Sequence, residues 1–533
     1  MRKGFVVLMI SAVVTFATRD RASQGPNAVP VSPRSCAGLA ALTLPNTTIT
    51  TEIVAAGAFR PPQPPRPGAP TADFATLPAF CRVWGSITPS ADSDIRFELW
   101  LPAQNWNGRF LQTGNGGAAG SIFYETLADP LARGYAVANT DTGHQGEQGD
   151  FTWAANHPER LIDYQYRAAH ELTVVGKALT TARYGRPPAK AYWDGCSAGG
   201  RQGLKEAQRF PDDYDAIVAG APASNWSALM AFSIIVERNL TGADALSVDK
   251  LGLLKEAAIA ACDAQDGVVD RVIGRPASCR FDPASLQCGT SRTDACLSAT
   301  EVAAATRVYA GVVNRAGHTL LAGPGPGSEP QWAIFASPQF RFSIGSSYFR
   351  HVVAHDPDWD PARFDVDADV ARMEAQDAGA AKAMDPDLSA FIARGGKLLT
   401  YHGTADGLIP YANSIDYHDR VVAARGADAV RDHFALYVVP GMAHCGGGDG
   451  ASAIDWLGAL EAWDATGQPP ASILGTHRPP ASAASANSVA KPFTRPICRY
   501  PQWPAYNGAG DESDAASWSC VNGDRTTVHF AHD

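Results

Sequence analysis

The sequence predicts an α/β protein, a mostly parallel sheet with helices on both faces that is divided by a large insertion. Three observations carry this expectation. Short apolar runs alternate with helical stretches, the order that builds parallel sheets. A Gly-x-Ser-x-Gly turn, Gly195 to Gly199, lies between one such run and a helical segment. The alternation stops near Pro222 and resumes at Lys397.

The elements follow in chain order. Arg2 and Lys3 precede an uncharged, mostly apolar run from Gly4 to Ala17, with small residues at Ala17 and Ala22. This is an export-signal pattern over residues 1–22, and the run is shorter than the ~20 residues needed to span a bilayer. Residues 23–35 and 60–71 are Pro-rich and predict an irregular arm over the surface. Ile95, Phe97 and Leu99 alternate toward Pro102, as in a strand; Arg109–Thr113 and the turn Gly114-Asn115-Gly116-Gly117 follow. Tyr135–Asn139 reads as a buried strand. His157 to Ala182 reads as one helix with Leu161, Tyr164, Ala168, Leu172 and Val175 on one face. Ala191–Trp193 is a strand, the helix after Ser197 runs through Arg209, and Ala216–Ala219 is a further strand. Residues 222–396 form the insertion, helical or irregular, with four of the ten cysteines. Lys397–Tyr401 and Phe434–Val439 restore the strand pattern, so residues 23–221 and 397–533 make the main domain.

Composition limits the functional classes. The chain has 533 residues, 45% hydrophobic and 18% charged, ample for a large core. A net charge of −10 without a basic stripe argues against a nucleic-acid partner. No later apolar stretch is long enough for a membrane span. The ten cysteines contain no CxxC pair, and in an exported chain they should form disulfides, with about 945 connectivities open.

Gly195-x-Ser197-x-Gly199 between a strand and a helix is the arrangement that exposes a nucleophilic serine on a tight turn. Small flanking residues let neighbouring backbone approach, and the Ala198 amide can then donate to an oxyanion. Serine needs a base held by an acid. Two later strands end in candidates, Asp406 in His402-Gly403-Thr404-Ala405-Asp406 and His444 in Gly441-Met442-Ala443-His444. Strand carboxyl ends share one edge of a parallel sheet, so the three groups can converge there. His402, Asp141, His144 and Asp416 are rivals; for His402, His144 and Asp416 a structural hydrogen-bonding role is the simpler reading. Cys196 adjoins the serine and Cys445 adjoins the histidine; paired, they would fasten nucleophile to base, and otherwise each staples the core elsewhere.

Taken together, Gly195-Cys196-Ser197-Ala198-Gly199-Gly200-Arg201-Gln202-Gly203, His402–Asp406 and Gly441–Cys445 resemble the three active-site segments of the tannase and feruloyl esterase family. The resemblance spans roughly residues 36–525. It implies an α/β-hydrolase fold with a large inserted lid, Ser197 as nucleophile, His444 as general base and acid, and Asp406 as its orienting partner. It implies oxyanion donors at Ala198 and, from the turn, Gly117. With order along the chain it also implies the disulfides Cys36–Cys81, Cys196–Cys445, Cys262–Cys279, Cys288–Cys296 and Cys498–Cys520.

Asp263-Ala264-Gln265-Asp266-Gly267-Val268-Val269-Asp270 places three carboxylates around a glycine. Spacing alone leaves an acidic solvated turn and a metal loop equally open. The resemblance implies a structural Ca2+ in the lid, held by Asp263, Asp266 and Asp270 with carbonyls of Val268 and Val272. The serine mechanism itself needs no metal and no organic cofactor.

The expected protein is therefore a secreted or periplasmic serine ester hydrolase for small aromatic esters, borne on a plant polysaccharide or polyphenol. Family frequency ranks feruloyl (hydroxycinnamoyl) esters first, galloyl esters second and terephthalate monoesters third. The competing classes are a non-catalytic binding protein on the same scaffold and a serine peptidase. Because the insertion begins and ends beside the strand ends, it should roof the cleft, with Trp332, Phe335, Phe340 and Tyr348 as candidate aromatic walls.

Overall fold

The computed structural model describes residues 32–63, 72–242, 245–291, 293–336, 342–478 and 491–523. The export-signal segment 1–22 and Phe340 lie outside the described residues. Among those described, no helix is long and apolar enough to cross a membrane.

Nine strands form the central sheet. In chain order they begin with β1 (Thr47–Val54), β2 (Phe80–Ile87), β3 (Ile95–Pro102), β4 (Arg109–Thr113), β5 (Ala136–Thr140), β6 (Lys190–Cys196) and β7 (Ala216–Gly220). A short lid hairpin, β8 (Val312–Val313) and β9 (Thr319–Leu321), intervenes before β10 (Lys397–Gly403) and β11 (Phe434–Val439). The spatial order is β1-β2-β3-β5-β4-β6-β7-β10-β11. From β5 to β11 all pairings are parallel, whereas β1, β2 and β3 pair antiparallel and β3 meets β5 antiparallel. Strands β5, β7 and β11 are buried along their whole length, as strands covered on both faces must be.

Three large apolar cores result, with two smaller clusters beside them. One face of the sheet packs Phe97, Leu99, Phe110 and Trp193 against helices that include Ala168–Tyr184. The other face buries Trp100, Leu111, Tyr192 and Trp463. The third core, around Trp226, Phe232, Trp332 and Tyr348, belongs to the segment between β7 and β10 and to the loop carrying Phe151 and Trp153. That segment holds the helices Trp226–Leu240, Leu251–Cys262, Ala299–Ala310 and Val366–Asp377. Local chemistry starts the third of these: Ser298 and Glu301 form a reciprocal capping box.

Three sequence expectations change. The stretch 157–182 is not one α-helix: Pro158–Ile162 passes through a π-helical turn, Asp163–Arg167, into Ala168–Tyr184. The antiparallel pair β1 and β2 was not predicted, because β1 is a Thr-rich edge strand whose residues stay half exposed. After the helix Trp456–Thr466 the chain forms two further hairpins, β12 (Ser472–His477) with β13 (Phe493–Cys498) and β14 (Gln502–Tyr506) with β15 (Trp518–Asn522).

Candidate active site

Ser197 follows β6 directly and opens the helix Ala198–Arg209. Its backbone lies at φ 64° and ψ −123°, a conformation L residues adopt at a cost of about 1–3 kcal/mol, and therefore only when their surroundings hold them. The surroundings do hold it. The Ser197 amide donates to the Gly220 carbonyl at 2.9 Å, and its carbonyl accepts from Arg201 and Ala223 at 3.0 and 3.1 Å. Close approach explains the flanking glycines. A Cβ on Gly195 would lie 2.7 Å from the Gly199 backbone, and one on Gly199 would lie 3.0 Å from the Asn115 carbonyl oxygen. The Gly114–Gly117 turn is thereby pressed against the serine turn, and Gly199 donates to the Asn115 carbonyl at 2.7 Å.

Asp406 and His444 stand beyond the ends of β10 and β11, which are neighbours in the sheet. The Nδ1 of His444 donates to Asp406 Oδ2 at 2.7 Å. A carboxylate can only accept, so the proton sits on Nδ1, and Nε2 keeps its lone pair for a serine hydroxyl. Asp406 Oδ1 accepts from the Leu408 and Ile409 amides, both at 2.9 Å, and Oδ2 lies 3.2 Å from His402 Nε2. Burial alone would raise the Asp406 pKa, yet His444 and the hydrogen bonds outweigh it and hold the carboxyl well below the ordinary range.

The disulfide Cys196–Cys445 joins the residues beside Ser197 and His444, with Cα atoms 5.9 Å apart. It closes a separation of 249 residues, worth roughly 5 kcal/mol in the chain-entropy treatment. The other four pairs are Cys36–Cys81, Cys262–Cys279, Cys288–Cys296 and Cys498–Cys520.

Ala198 occupies the first turn of its helix, where an amide has no intrahelical acceptor. The Gly117 amide has no protein acceptor among the described residues, and Gly117 lines the same cavity as Ser197 and Ala198. That cavity, about 390 Å³ including its mouth, is otherwise walled by Ala223, Trp226, Leu229, Met230, Ser233, Phe335, Phe342, Ile344, Leu408 and Ile409. Of the aromatic candidates read from the sequence, Phe335 is on the wall. Trp332 and Tyr348 are not; both are fully buried within the lid core, Trp332 against Tyr309 and Tyr348 against Trp226. Trp226 and Phe342 take the wall positions instead.

The rival polar residues have other partners. His402 is buried between Ser414 and the Ile409 carbonyl and backs Asp406 from behind. Asp141 accepts from the amides of Arg96 and Gly143, and Asp416 pairs with Arg420 at 2.9 Å. His144 stacks on Trp153 at 3.5 Å, and burial lowers its pKa to about 3.

Two residues with no sequence signature support the site. Gln331, from the lid turn Glu329–Phe335, accepts from the amides of both Gly407 (2.9 Å) and His444 (3.2 Å). A single side-chain oxygen from the segment between β7 and β10 thus ties the loop of Asp406 to the loop of His444. Tyr164, in the π-helical turn, donates its hydroxyl to the Gly117 carbonyl at 2.9 Å and so positions that glycine. Neither partner is near in sequence, so only proximity in the fold identifies them.

The acidic lid loop is closed by Cys262–Cys279. Asp263 accepts from the amides of Asp270 and Arg271, Asp266 from Val268, and Asp270 from Val272. Burial, then repulsion from Asp270 and Asp263, raises the Asp266 pKa to about 6 despite that amide bond. Asp270 also pairs with Arg495 of β13 at 2.6 Å, linking the C-terminal hairpins to the lid. The carbonyls of Val268 and Val272 accept no hydrogen bond among the described residues. The donor types, three carboxylates and two carbonyls, are those a hard dication such as Ca2+ takes, but in this structure the three carboxylates do not converge on one point and Asp270 is engaged by Arg495.

A parallel sheet, a serine on a strained strand-to-helix turn and a His–Asp pair on the adjacent strand ends define an α/β-hydrolase of the serine ester hydrolase class. The profile of "Tannase and feruloyl esterase" matches residues 81–521, and the chain belongs to that family. It is 36% identical, over an alignment covering 92% of each chain, to an uncharacterized esterase of Xanthomonas campestris pv. campestris. It is 35% identical to a probable feruloyl esterase B-2 of Neosartorya fischeri, over 83% of this chain and 86% of that one. The crystal structure of feruloyl esterase B from Aspergillus oryzae superposes with a TM-score of 0.81 at 30% identity, over 91% of this chain and 100% of that one. The protein is a carboxylic ester hydrolase.

Proposed function

We propose that the enzyme hydrolyses aromatic acyl esters, hydroxycinnamoyl (feruloyl) esters foremost, through an acyl-enzyme on Ser197. The observation that carries the choice of acyl group is the wall of the cavity beside Ser197. Its rings are Trp226, Phe335 and Phe342, and among the described residues its only side-chain hydroxyl besides Ser197 is Ser233, which is already spent on the Met230 carbonyl. Such a wall accepts a flat aromatic acyl chain by burial and offers little to a ring carrying three hydroxyls, because each unpaired hydroxyl costs more than its contact returns.

In this reading Ser197 Oγ attacks the ester carbonyl carbon while His444 Nε2 takes its proton, and Asp406 stabilises the imidazolium. The carbonyl oxygen becomes an oxyanion held by the amides of Ala198 and Gly117. His444 then returns the proton to the leaving alkoxide, the alcohol departs, and Ser197 carries the acyl group. Water repeats the sequence: His444 takes a proton from it, hydroxide adds to the acyl carbon, and collapse releases the acid and restores Ser197. Ca2+ would be held by Asp263, Asp266 and Asp270 with the carbonyls of Val268 and Val272, and would supply charge compensation that fixes the lid loop. Five disulfides and the basic, then apolar, start of the chain support an exported enzyme, secreted or periplasmic.

The test is a hydrolysis panel of methyl ferulate, methyl gallate, a terephthalate monoester and a p-nitrophenyl alkyl ester, with Ser197→Ala as control. Methyl ferulate should give the highest kcat/KM, and Ser197→Ala should abolish turnover on all four. A preference for methyl gallate would overturn the acyl assignment, and an active Ser197→Ala would overturn the mechanism.

A further inference from the structure

One convergence of metal-ligating side chains lies away from the active site. His170, Glu206 and Asp213 each offer one ligand atom, and the three atoms lie within 4.8 Å of one another. They come from three elements: His170 from the helix Ala168–Tyr184, Glu206 from the last turn of the helix Ala198–Arg209, and Asp213 from the loop that leads into β7.

Glu206 is the observation that asks for a ligand. It is only 1% exposed, no N–H or hydroxyl donor reaches its carboxyl oxygens among the described residues, and the group they face is the Asp213 carboxyl. Two carboxyls facing each other in a buried site require a proton or a cation between them. Its neighbours point the same way. His170 is held by stacking on Phe210, with centroids 3.9 Å apart and rings 10° from parallel, and its Nδ1 lies 2.6 Å from Asp213 Oδ2. Lys177 bonds the Asp213 backbone carbonyl, which fixes the loop and leaves the Asp213 carboxylate to His170. The site opens to water on one side, since the His170 side chain is 30% exposed and that of Asp213 12%.

We infer that His170, Glu206 and Asp213 form a second metal site, for a borderline divalent transition cation of the Zn2+ type, with water as the remaining ligand. An imidazole nitrogen with two carboxylate oxygens suits zinc and not calcium, which takes oxygen donors. Tetrahedral zinc at about 2.0–2.1 Å from each ligand spaces ligand atoms about 3.4 Å apart, so small rotamer shifts within the present 4.8 Å suffice. Glu206 lies nine residues from Ser197, about 13 Å along the helix. The ion therefore clamps the far end of the nucleophile helix to its neighbours, and its role is mechanical.

The test uses the full-length enzyme, stripped of transition metals and kept saturated with Ca2+ so that the lid loop does not compete. Calorimetric titration with Zn2+ alone should show one tight equivalent, with a rise in thermal midpoint of roughly 1–3 °C at hundredfold excess over Kd. His170→Ala and Glu206→Gln should each lose both effects while keeping kcat on p-nitrophenyl acetate within twofold. Glu206→Gln keeps the shape of the side chain, so its loss of zinc reports ligation and not folding. No stoichiometric zinc in the wild type, or equal zinc binding in both variants, would overturn the site. In that case a proton shared between Glu206 and Asp213 accounts for the cluster.

Discussion

Gln331 gives the sharpest test of how the lid takes part in the chemistry. Its Oε1 accepts from the amide of Gly407, next to Asp406, at 2.9 Å and from the amide of His444 at 3.2 Å. Gln331→Ala removes both bonds. Each is worth about 1 kcal/mol net, so about 2 kcal/mol that aligned acid and base is lost or passed to less ordered water. At 1.36 kcal/mol per decade the full amount lowers kcat about 30-fold, and partial replacement by water leaves a loss of about 5-fold. Gln331 does not line the cavity, so KM for methyl ferulate should change less than kcat. Gln331→Glu keeps an oxygen that accepts from both amides and should restore most of the rate. The assay is steady-state hydrolysis of methyl ferulate across pH, with thermal midpoints as the folding control. A Gln331→Ala enzyme within twofold of wild-type kcat would refute the reasoning. So would a Glu variant no better than Ala.

Four further outcomes follow from the same geometry. Asp406→Asn turns an N–H toward His444 Nδ1, selects the wrong imidazole tautomer and should lower kcat by about 10⁴, the size seen when this partner is altered in other serine hydrolases; a loss under tenfold would exclude Asp406 as the orienting acid. Because the folded pKa of Asp406 is depressed, its stabilising share is fully present above the unfolded carboxylate value near 4 and is lost as pH falls below it. Thermal midpoints of wild type and Asp406→Asn should therefore begin to converge as pH falls below about 4. Replacing Cys196 and Cys445 together by Ala should lower the thermal midpoint and cost kcat more than KM, since about 1 Å of slack between nucleophile and base can cost about 100-fold; unchanged kinetics on methyl ferulate would mean the bridge serves stability alone. If the acidic loop holds Ca2+ as proposed, chelation should lower thermal stability and impair methyl ferulate hydrolysis more than that of p-nitrophenyl acetate, which needs little of the lid; equal losses would assign the ion to the whole fold, and no bound Ca2+ would remove the site.

The parallel half of the sheet was legible because its strands are continuous apolar runs buried on both faces, such as Ala216–Gly220 and Phe434–Val439. The serine turn was legible for a related reason. A tight strand-to-helix turn needs small residues at fixed offsets, so its geometry is written in consecutive positions. Asp406 and His444 each follow a readable strand, and the sheet brings strand ends together on one edge. The antiparallel edge was not legible, since the half-exposed Thr and Glu side chains of β1 carry little apolar signal. The π-helical turn at Asp163–Arg167 was hidden inside an unbroken helical pattern, yet it aims Tyr164 at Gly117. Sequence named aromatic residues for the cleft but could not sort them. Trp332 and Trp226 are alike as residues and both lie in the lid core, and only the packing there puts Trp226 on the cavity wall as well. The same holds for Gln331, for His402 behind Asp406, and for the meeting of His170 with Glu206 and Asp213. Sequence determined the elements and the residues that end them, because local sterics and periodicity act over a few positions. Tertiary structure decided which distant side chains share a hydrogen bond, because that depends on how whole helices and loops pack, which no short window of sequence records.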